Sequence, residues 1–544
     1  MKRNGPPLVA VIKQLGRRIG ALLGAAIGEV RPVDIWPPSG PSPGGLMTMR
    51  LAAIAAGLVI AVAIVGAGSA PAAPNAPTAN HGALTANVAQ SPVGWVPPGF
   101  VGLSFELRDI EAYTGTDPTA VNPMLEQLIR NLTPGQQPVI RIAGHSSDRA
   151  WYPIANAPTP AGVRYVLTPT WLAVVKALAE GVNGRLILGL NLEENSAEIA
   201  AAEANAIVAG IGAPWLDALE LGNEPDLYPI VDWYKSNGVG VLGRSSSWDL
   251  SDFVREYADI ARDLPQVPLA GPDVGTASWL GGMGQFLASE PRVRIATAHL
   301  YGPGCRATPV TVAQLFSDTY TRHFASRLEP AVRAAHARGV AFRLDETNDI
   351  SCGGQAGISD TFASALWSLN ELFQLARAGV DGVNVHTSQR TIGRLFSFDQ
   401  VAGTWEAQVA PSYYGLLAFA QAAPPGSKLL DVSGSVTSGP VHVWATRAPD
   451  GTERVVVINL GLGGGQTVLV RAGKSTRPAT VEWLSAPSVN ATQDVTLGSQ
   501  NFGSDTTTGQ LAGPPVTQPL NDPQGTYRLR LRPASAAIIT LPAR

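Results

Sequence analysis

Only two cysteines and seven histidines occur in this chain of 544 residues, charged residues make up 15% of it, and positive charge is not in excess. Each scarcity closes off a class of function. Two thiols are too few for a structural zinc site, which takes four ligands. No set of histidines and carboxylates falls at metal-ligand spacing, so neither a metal nor another cofactor is expected. Lysine and arginine number 39 against 42 acidic residues, a net charge of -3. Such a chain offers no basic surface for a phosphate backbone, which excludes nucleic acid as a partner. A dinucleotide fingerprint is missing too: Gly102-Leu103-Ser104, after the first strand-like run, lacks the G-x-G-x-x-G turn.

What is present begins with one long apolar run. Residues 51–68, LAAIAAGLVIAVAIVGAG, carry no charge, follow Arg50 and precede the small residues Gly68-Ser69-Ala70-Pro71-Ala72-Ala73. Residues 47–73 therefore read as a signal peptide or a membrane anchor, and the protein is expected to be secreted or held at the membrane facing outward. Membrane contact would be confined to that segment. Residues 1–46, with Lys2, Arg3, Lys13, Arg17 and Arg18, are a basic extension: a cytoplasmic tail, or an over-long start, since Met47 and Met49 follow. Residues 74–98 read as a Pro/Ala-rich linker, within which Leu84 to Trp95 could form a strand.

From residue 99 to 425, short apolar runs alternate with amphipathic helical stretches. The runs are Val101–Leu107, Pro138–Gly144, Arg185–Leu192, Leu216 to the turn at Glu224, Pro268–Asp273, Val293–Tyr301, Ala341–Glu346 and Gly382–His386. Eight β-then-α units are the tally of a (β/α)8 TIM barrel, with a doubly wound open sheet as the alternative. After the sixth run the pattern predicts one long helical stretch over Thr311–Arg338. Residues 426–544 change texture, to VHVWATR, RVVVINL, QTVLVRA, TVEWL, TYRLRLR and AAIITLPA between Gly, Pro, Ser and Thr. That spacing predicts a C-terminal antiparallel β-sandwich.

The chemistry gathers at two strand ends. Leu219-Glu220-Leu221-Gly222-Asn223-Glu224-Pro225-Asp226 stops a buried strand at a carboxylate, and Arg343-Leu344-Asp345-Glu346-Thr347-Asn348 does so again at the seventh. In a closed barrel both glutamates open into the same C-terminal mouth. Paired carboxylates are what glycoside hydrolysis requires, one protonated to donate to the leaving oxygen and one ionised to attack. Arg343 is expected to hold Glu346 charged, which makes Glu346 the nucleophile and Glu224 the acid/base. Arg141, His145, Asp148 and His386 could line the mouth or be satisfied structural residues; Arg141, inside its strand, suits a buried ion pair. Cys305 and Cys352 follow neighbouring strands, and in an exported chain they read as a disulfide across the rim. Two free buried thiols are the alternative.

LGNEPD, RLDETND-x-SCGG-x-x-G-x-SDTFASALW and RIAGHSSD together resemble the family 79 glycoside hydrolases, retaining enzymes with a (β/α)8 barrel and a C-terminal β-sandwich that include β-glucuronidases and heparanase. The resemblance covers most of residues 100–540. It implies a double displacement with Glu224 as acid/base and Glu346 as nucleophile, and Asn223 holding the sugar 2-hydroxyl. It implies that Tyr301, in Ala298-His299-Leu300-Tyr301-Gly302, steadies the nucleophile, with His299 beside the substrate, and that Glu106 faces the sugar. Members that bind glucuronate hold its carboxylate with the loop after the nucleophile, through an aromatic hydroxyl and backbone N–H groups near a Gly-Gly pair. This chain keeps Gly353-Gly354 behind Ser351-Cys352 but has no tyrosine there. The expected activity is thus a β-glucuronidase-like hydrolysis of a carbohydrate substrate. The alternatives are a neutral β-glucosidase or xylosidase, and a non-catalytic carbohydrate-binding protein of the cell envelope.

Overall fold

The computed structural model describes residues 82–543, apart from 306–307, 474–477 and 521–523. The basic extension, the apolar run 51–68 and the first part of the linker lie outside the described residues. No helix among the described residues is long and apolar enough to cross a membrane.

Eight parallel strands close into a barrel: β1 (Val101–Glu106), β2 (Val139–Ala143), β3 (Arg185–Leu190), β4 (Leu216–Leu221), β5 (Leu269–Val274), β6 (Val293–His299), β7 (Ala341–Thr347) and β8 (Gly382–Thr387). Closure is made by β8 on β1, with Val383 opposite Val101 and Thr387 opposite Phe105. An open sheet is thereby excluded. Every residue of β1 and β5 is buried, as expected of strands covered on the outside by helices and filled on the inside by side chains.

The stretch Thr311–Arg338 is not one helix. It forms the single turns Val312–Leu315 and Asp318–Thr321, a 3-10 turn at Ala325–Arg327 and the helix Glu329–His336. Pro330 is accommodated because it falls in the first turn of that last helix, where its missing N–H would have no partner. Two hairpins interrupt the β/α rhythm: Asp232–Ser236 with Val239–Leu242, and Phe396–Val401 with Thr404–Val409. Their turns, Asn237-Gly238 and Ala402-Gly403, hold both central residues at positive φ, the tight geometry that matches strand twist.

Ala150–Trp151 pairs with Tyr165–Val166 in a small sheet of its own, and ten further strands among the described residues form one sheet with its own core. Its order runs from Thr496–Leu497 through Ala479–Ser485, Ser535–Leu541, Glu453–Asn459, Val441–Arg447 and Lys428–Ser433 to Leu84–Trp95, Gln466–Arg471 and Thr526–Leu531, with Gln518–Leu520 also paired to Ala479–Ser485. Leu84–Trp95, part of the stretch read as linker, is thus a sheet strand, antiparallel to Lys428–Ser433 and parallel to Gln466–Arg471. Val455 and Val457 join Val441, Val468, Leu529 and Ile539 in a core inside this module, while Val456 and Ile458 belong to the barrel's core. Both faces of the strand are covered, which is why RVVVIN shows no polar alternation. Helix Phe362–Arg377 sits at this junction. Its Phe373 stacks on Trp444 (centroids 5.6 Å apart), whose indole N–H donates to Asn370 at 3.0 Å.

Candidate active site

The C-terminal ends of β2, β4, β5, β6 and β7 bring one charged cluster together. Its hub is Arg141 of β2, fully buried. The guanidinium donates to Glu220 Oε2 (2.6 Å), Ser104 Oγ (3.1 Å), Glu346 Oε2 (2.7 Å), Asn223 Oδ1 (2.9 Å) and Asp273 Oδ2 (2.9 Å). So many partners are needed because an arginine without water must satisfy each N–H within the protein. Arg343 does not play this part. It donates to Asn384 and to the Gly99 carbonyl; three residues of strand place it about 10 Å from Glu346 along β7, away from the mouth.

Glu346, on β7, also accepts from the Tyr301 hydroxyl at 2.6 Å, and His386 Nδ1 lies 3.6 Å away. Burial raises its pKa, but His299, His386 and Arg141 outweigh burial and hold it down at about 2. Glu224 follows β4 on a turn in which Gly222 (φ 87°) and Glu224 (φ 51°) are left-handed. A Cβ at Gly222 would fall 2.7 Å from the Tyr228 hydroxyl, so glycine is required there for space as well as for φ. Glu224 itself has no such freedom. Its conformation costs about 1–2 kcal/mol and persists because neighbouring structure over-determines it: its N–H donates to the Asp273 carbonyl at 2.9 Å, and Pro225 follows.

The Glu224 carboxylate lies 2.9 Å from His299 Nδ1 and 3.1 Å from His145 Nε2. On its far side His299 Nε2 is 2.6 Å from Asp273 Oδ1. Burial opposes charge on both rings, yet Glu224 raises His145 to about 9, and Asp273 with Glu346 raises His299 well above its ordinary value. By the same interactions the two imidazoles hold Glu224 below the carboxylate range against the effect of burial. Burial, with Glu220 and Asp273, pushes Asp345 well up, and a protonated Asp345 lets the cluster approach charge balance.

One ligand atom each from Glu224, His299 and Glu346 lies within 4.8 Å of the others, and so do atoms of Asp273, His299 and Asp345. These are the two positions among the described residues where a cation could be held. In both sets His299 is the nitrogen donor, and as an imidazolium it has no lone pair to offer. Arg141 already supplies positive charge to the carboxylates of both.

Of the residues singled out from the sequence, Asn223, Glu224, His299, Tyr301 and Glu346 meet here, joined by Arg141, His145 and His386. Glu106 lies alongside, its Oε2 accepting the Ser146 N–H (3.0 Å) and hydroxyl. Ser351 and Gly353 belong to the rim instead. The Ser351 hydroxyl accepts from Cys305 N–H (3.0 Å), and the Gly353 carbonyl accepts from Gly393 N–H (2.9 Å). Cys305 and Cys352 form the disulfide that ties the loops after β6 and β7. Asp273 was not singled out from the sequence. The only signal it carries there is its place at the end of the fifth apolar run.

No family model matches the chain. It is 25% identical over 395 residues to a β-glucuronidase of Neurospora crassa, spanning 64% of this chain and 68% of that one. A β-glucuronidase of Aspergillus niger is 26% identical over 402 residues, 66% of this chain and 71% of that one. Among solved structures, a 4-O-α-L-rhamnosyl-β-D-glucuronidase from Fusarium oxysporum 12S, in complex with Rha-GlcA, superposes with a TM-score of 0.68 at 22% identity, covering 84% of this chain and all of that one. The architecture is that of a solved glucuronidase.

Proposed function

We propose that this glycosidase hydrolyses β-glucuronides with retention of configuration, Glu346 serving as nucleophile and Glu224 as acid/base. The observation that carries the reading is the pair itself, with oxygens of Glu224 and Glu346 inside 4.8 Å. That separation suits a retaining pair, whose carboxyls stand about 5–5.5 Å apart, and is too short for the intervening water of an inverting pair at about 6.5–9.5 Å. The two β-glucuronidase relatives support the choice of sugar.

In the first step a Glu346 oxygen attacks the anomeric carbon as the glycosidic C–O bond breaks, and Glu224 gives the leaving oxygen a proton. That proton comes from His145, the imidazolium whose side chain is 35% exposed to the mouth. An incoming uronate adds negative charge, which raises the proton affinity of Glu224 and draws the proton across the hydrogen bond. Water then attacks the glycosyl ester, Glu224 takes its proton, and Glu346 leaves as the carboxylate. Asn223 holds the 2-hydroxyl, oriented by Arg141 at its amide oxygen. The rim loop of Ser351 and Gly353 offers backbone N–H groups to the uronate, and Glu106 faces the sugar from β1.

The protein is exported, a reading supported by the apolar run 51–68 and by a disulfide, which persists in oxidising compartments. Assays of para-nitrophenyl β-glucuronide, β-glucoside and β-xyloside, run beside Glu346→Gln, test the activity. Turnover of the glucuronide alone, lost in the variant, with the β-anomer appearing first by NMR, is the expected result. First release of the α-anomer would refute the mechanism, and folded protein that turns over no glycoside would point to carbohydrate binding without catalysis.

A further inference from the structure

Asp148 lies on the short turn after β2, 1% exposed and remote in sequence from both glutamates. Its Oδ1 accepts the backbone N–H groups of Leu192 (2.9 Å) and Glu193 (3.2 Å), just past the end of β3. Its Oδ2 accepts the Asn223 N–H (2.9 Å) and the Tyr228 hydroxyl (2.7 Å). One carboxylate thus pins the ends of β2, β3 and β4 together, and it grips the loop that carries Glu224 on both sides, one residue before and four after. The hairpin that follows secures Asp148 in turn, since Trp233 Nε1 donates to the Asp148 carbonyl at 2.8 Å. Four donors occupy the carboxylate, which leaves it no free lone pair for a sugar.

We infer that Asp148 is a positioning residue for the acid/base: it makes no contact with substrate but fixes the left-handed turn that aims Glu224 at the leaving oxygen. The inference rests on the reading of Glu224 as the proton donor. If the turn relaxes, Glu224 remains in the mouth but loses alignment, and proton donation suffers before anything else.

The consequence is a dependence on the leaving group. An alkyl β-glucuronide needs a proton on its departing oxygen, whereas para-nitrophenolate departs without one. Asp148→Asn keeps the shape but presents an amide N–H₂ to groups that are themselves donors. Tyr228→Phe removes the hydroxyl that donates to Asp148 and accepts from the Asn223 N–H at 3.3 Å, leaves the carboxylate in place, and decides the matter should Asp148→Asn fail to fold. The expected result is a loss of about 10–100-fold in kcat/KM for a methyl β-glucuronide, part of the 10²–10⁴ that general acid catalysis supplies. The para-nitrophenyl substrate should change by less than about threefold, a change of under half that logarithmic scale. Equal losses on both substrates would assign Asp148 a purely structural role and overturn the inference, as would no loss on either. Should the parent protein hydrolyse neither compound, the glucuronidase reading has failed and the inference falls with it, a result distinct from equal losses in an active enzyme.

Discussion

Replacing Tyr301 with phenylalanine removes a single oxygen from the site, the hydroxyl that donates to Glu346 Oε1 at 2.6 Å. A hydrogen bond to a charged group contributes about 1.5–3 kcal/mol. Its value is greatest where Glu346 carries full charge. Formation of the glycosyl ester consumes that charge and hydrolysis of the ester restores it, so the missing donor slows the second step, whereas in the first it destabilises the charged starting state more than the transition state and does not slow it. With the charge about half restored in an oxocarbenium-like transition state, about 0.7–1.5 kcal/mol is lost and breakdown of the ester slows about 3–13-fold. The loss goes no further because Arg141 still holds the other oxygen at 2.7 Å. Glu346 also stays ionised at neutral pH, since its pKa rises from about 2 by only about 1–2 units when a bond of that strength is removed. Stopped-flow kinetics with para-nitrophenyl β-glucuronide measure this directly. The variant should release a burst of nitrophenol and then turn over slowly, with kcat lower, KM lower still and kcat/KM not reduced. A fall in kcat/KM that matches the fall in kcat, without a burst, would show that Tyr301 acts in the first step and would refute the argument.

Three further outcomes follow from the geometry. His145, raised to about 9 by Glu224, keeps its charge below that pH and loses it as the pH rises through it; kcat/KM should therefore fall above about pH 9, and His145→Gln should abolish or displace that limb in a pH profile. Phe373→Ala removes a fully buried ring stacked on Trp444 and set edge-on to Phe419 at 4.8 Å; it should cost about 3–5 kcal/mol by denaturant unfolding, while activity per folded molecule persists. Replacing both Cys305 and Cys352 with serine opens a loop of 47-residue separation; it should cost up to about 4 kcal/mol by the chain-entropy estimate, read as a lower Tm.

Much of the fold was legible because its signals are local. Strand-end carboxylates, eight repeats and the break in texture near residue 426 are each contained in a few neighbouring residues. The hairpin at Asn237-Gly238 was equally local, a turn dipeptide that went unread. The helix expected over 311–338 failed because helical period does not reveal where the chain must bend to follow the barrel, and Pro330 was the one marker of a restart. Arg343 was the instructive error. Proximity along the chain suggested the partner of Glu346, but three residues of extended strand span about 10 Å, too far for an ion pair.

By itself the sequence determined which residues end strands four and seven, and hence that two glutamates share one mouth, because strand direction in a closed β/α barrel leaves their ends no other place. Only the tertiary structure decided what surrounds them. The guanidinium on Glu346 comes from β2, the imidazoles on Glu224 from β6 and the turn after β2, and the carboxylate that grips the Glu224 loop from that same turn. Those partners lie 75 to 205 residues apart along the chain. They meet only because the barrel closes, and their charges have the effect described because closing it removes the water that would otherwise screen them.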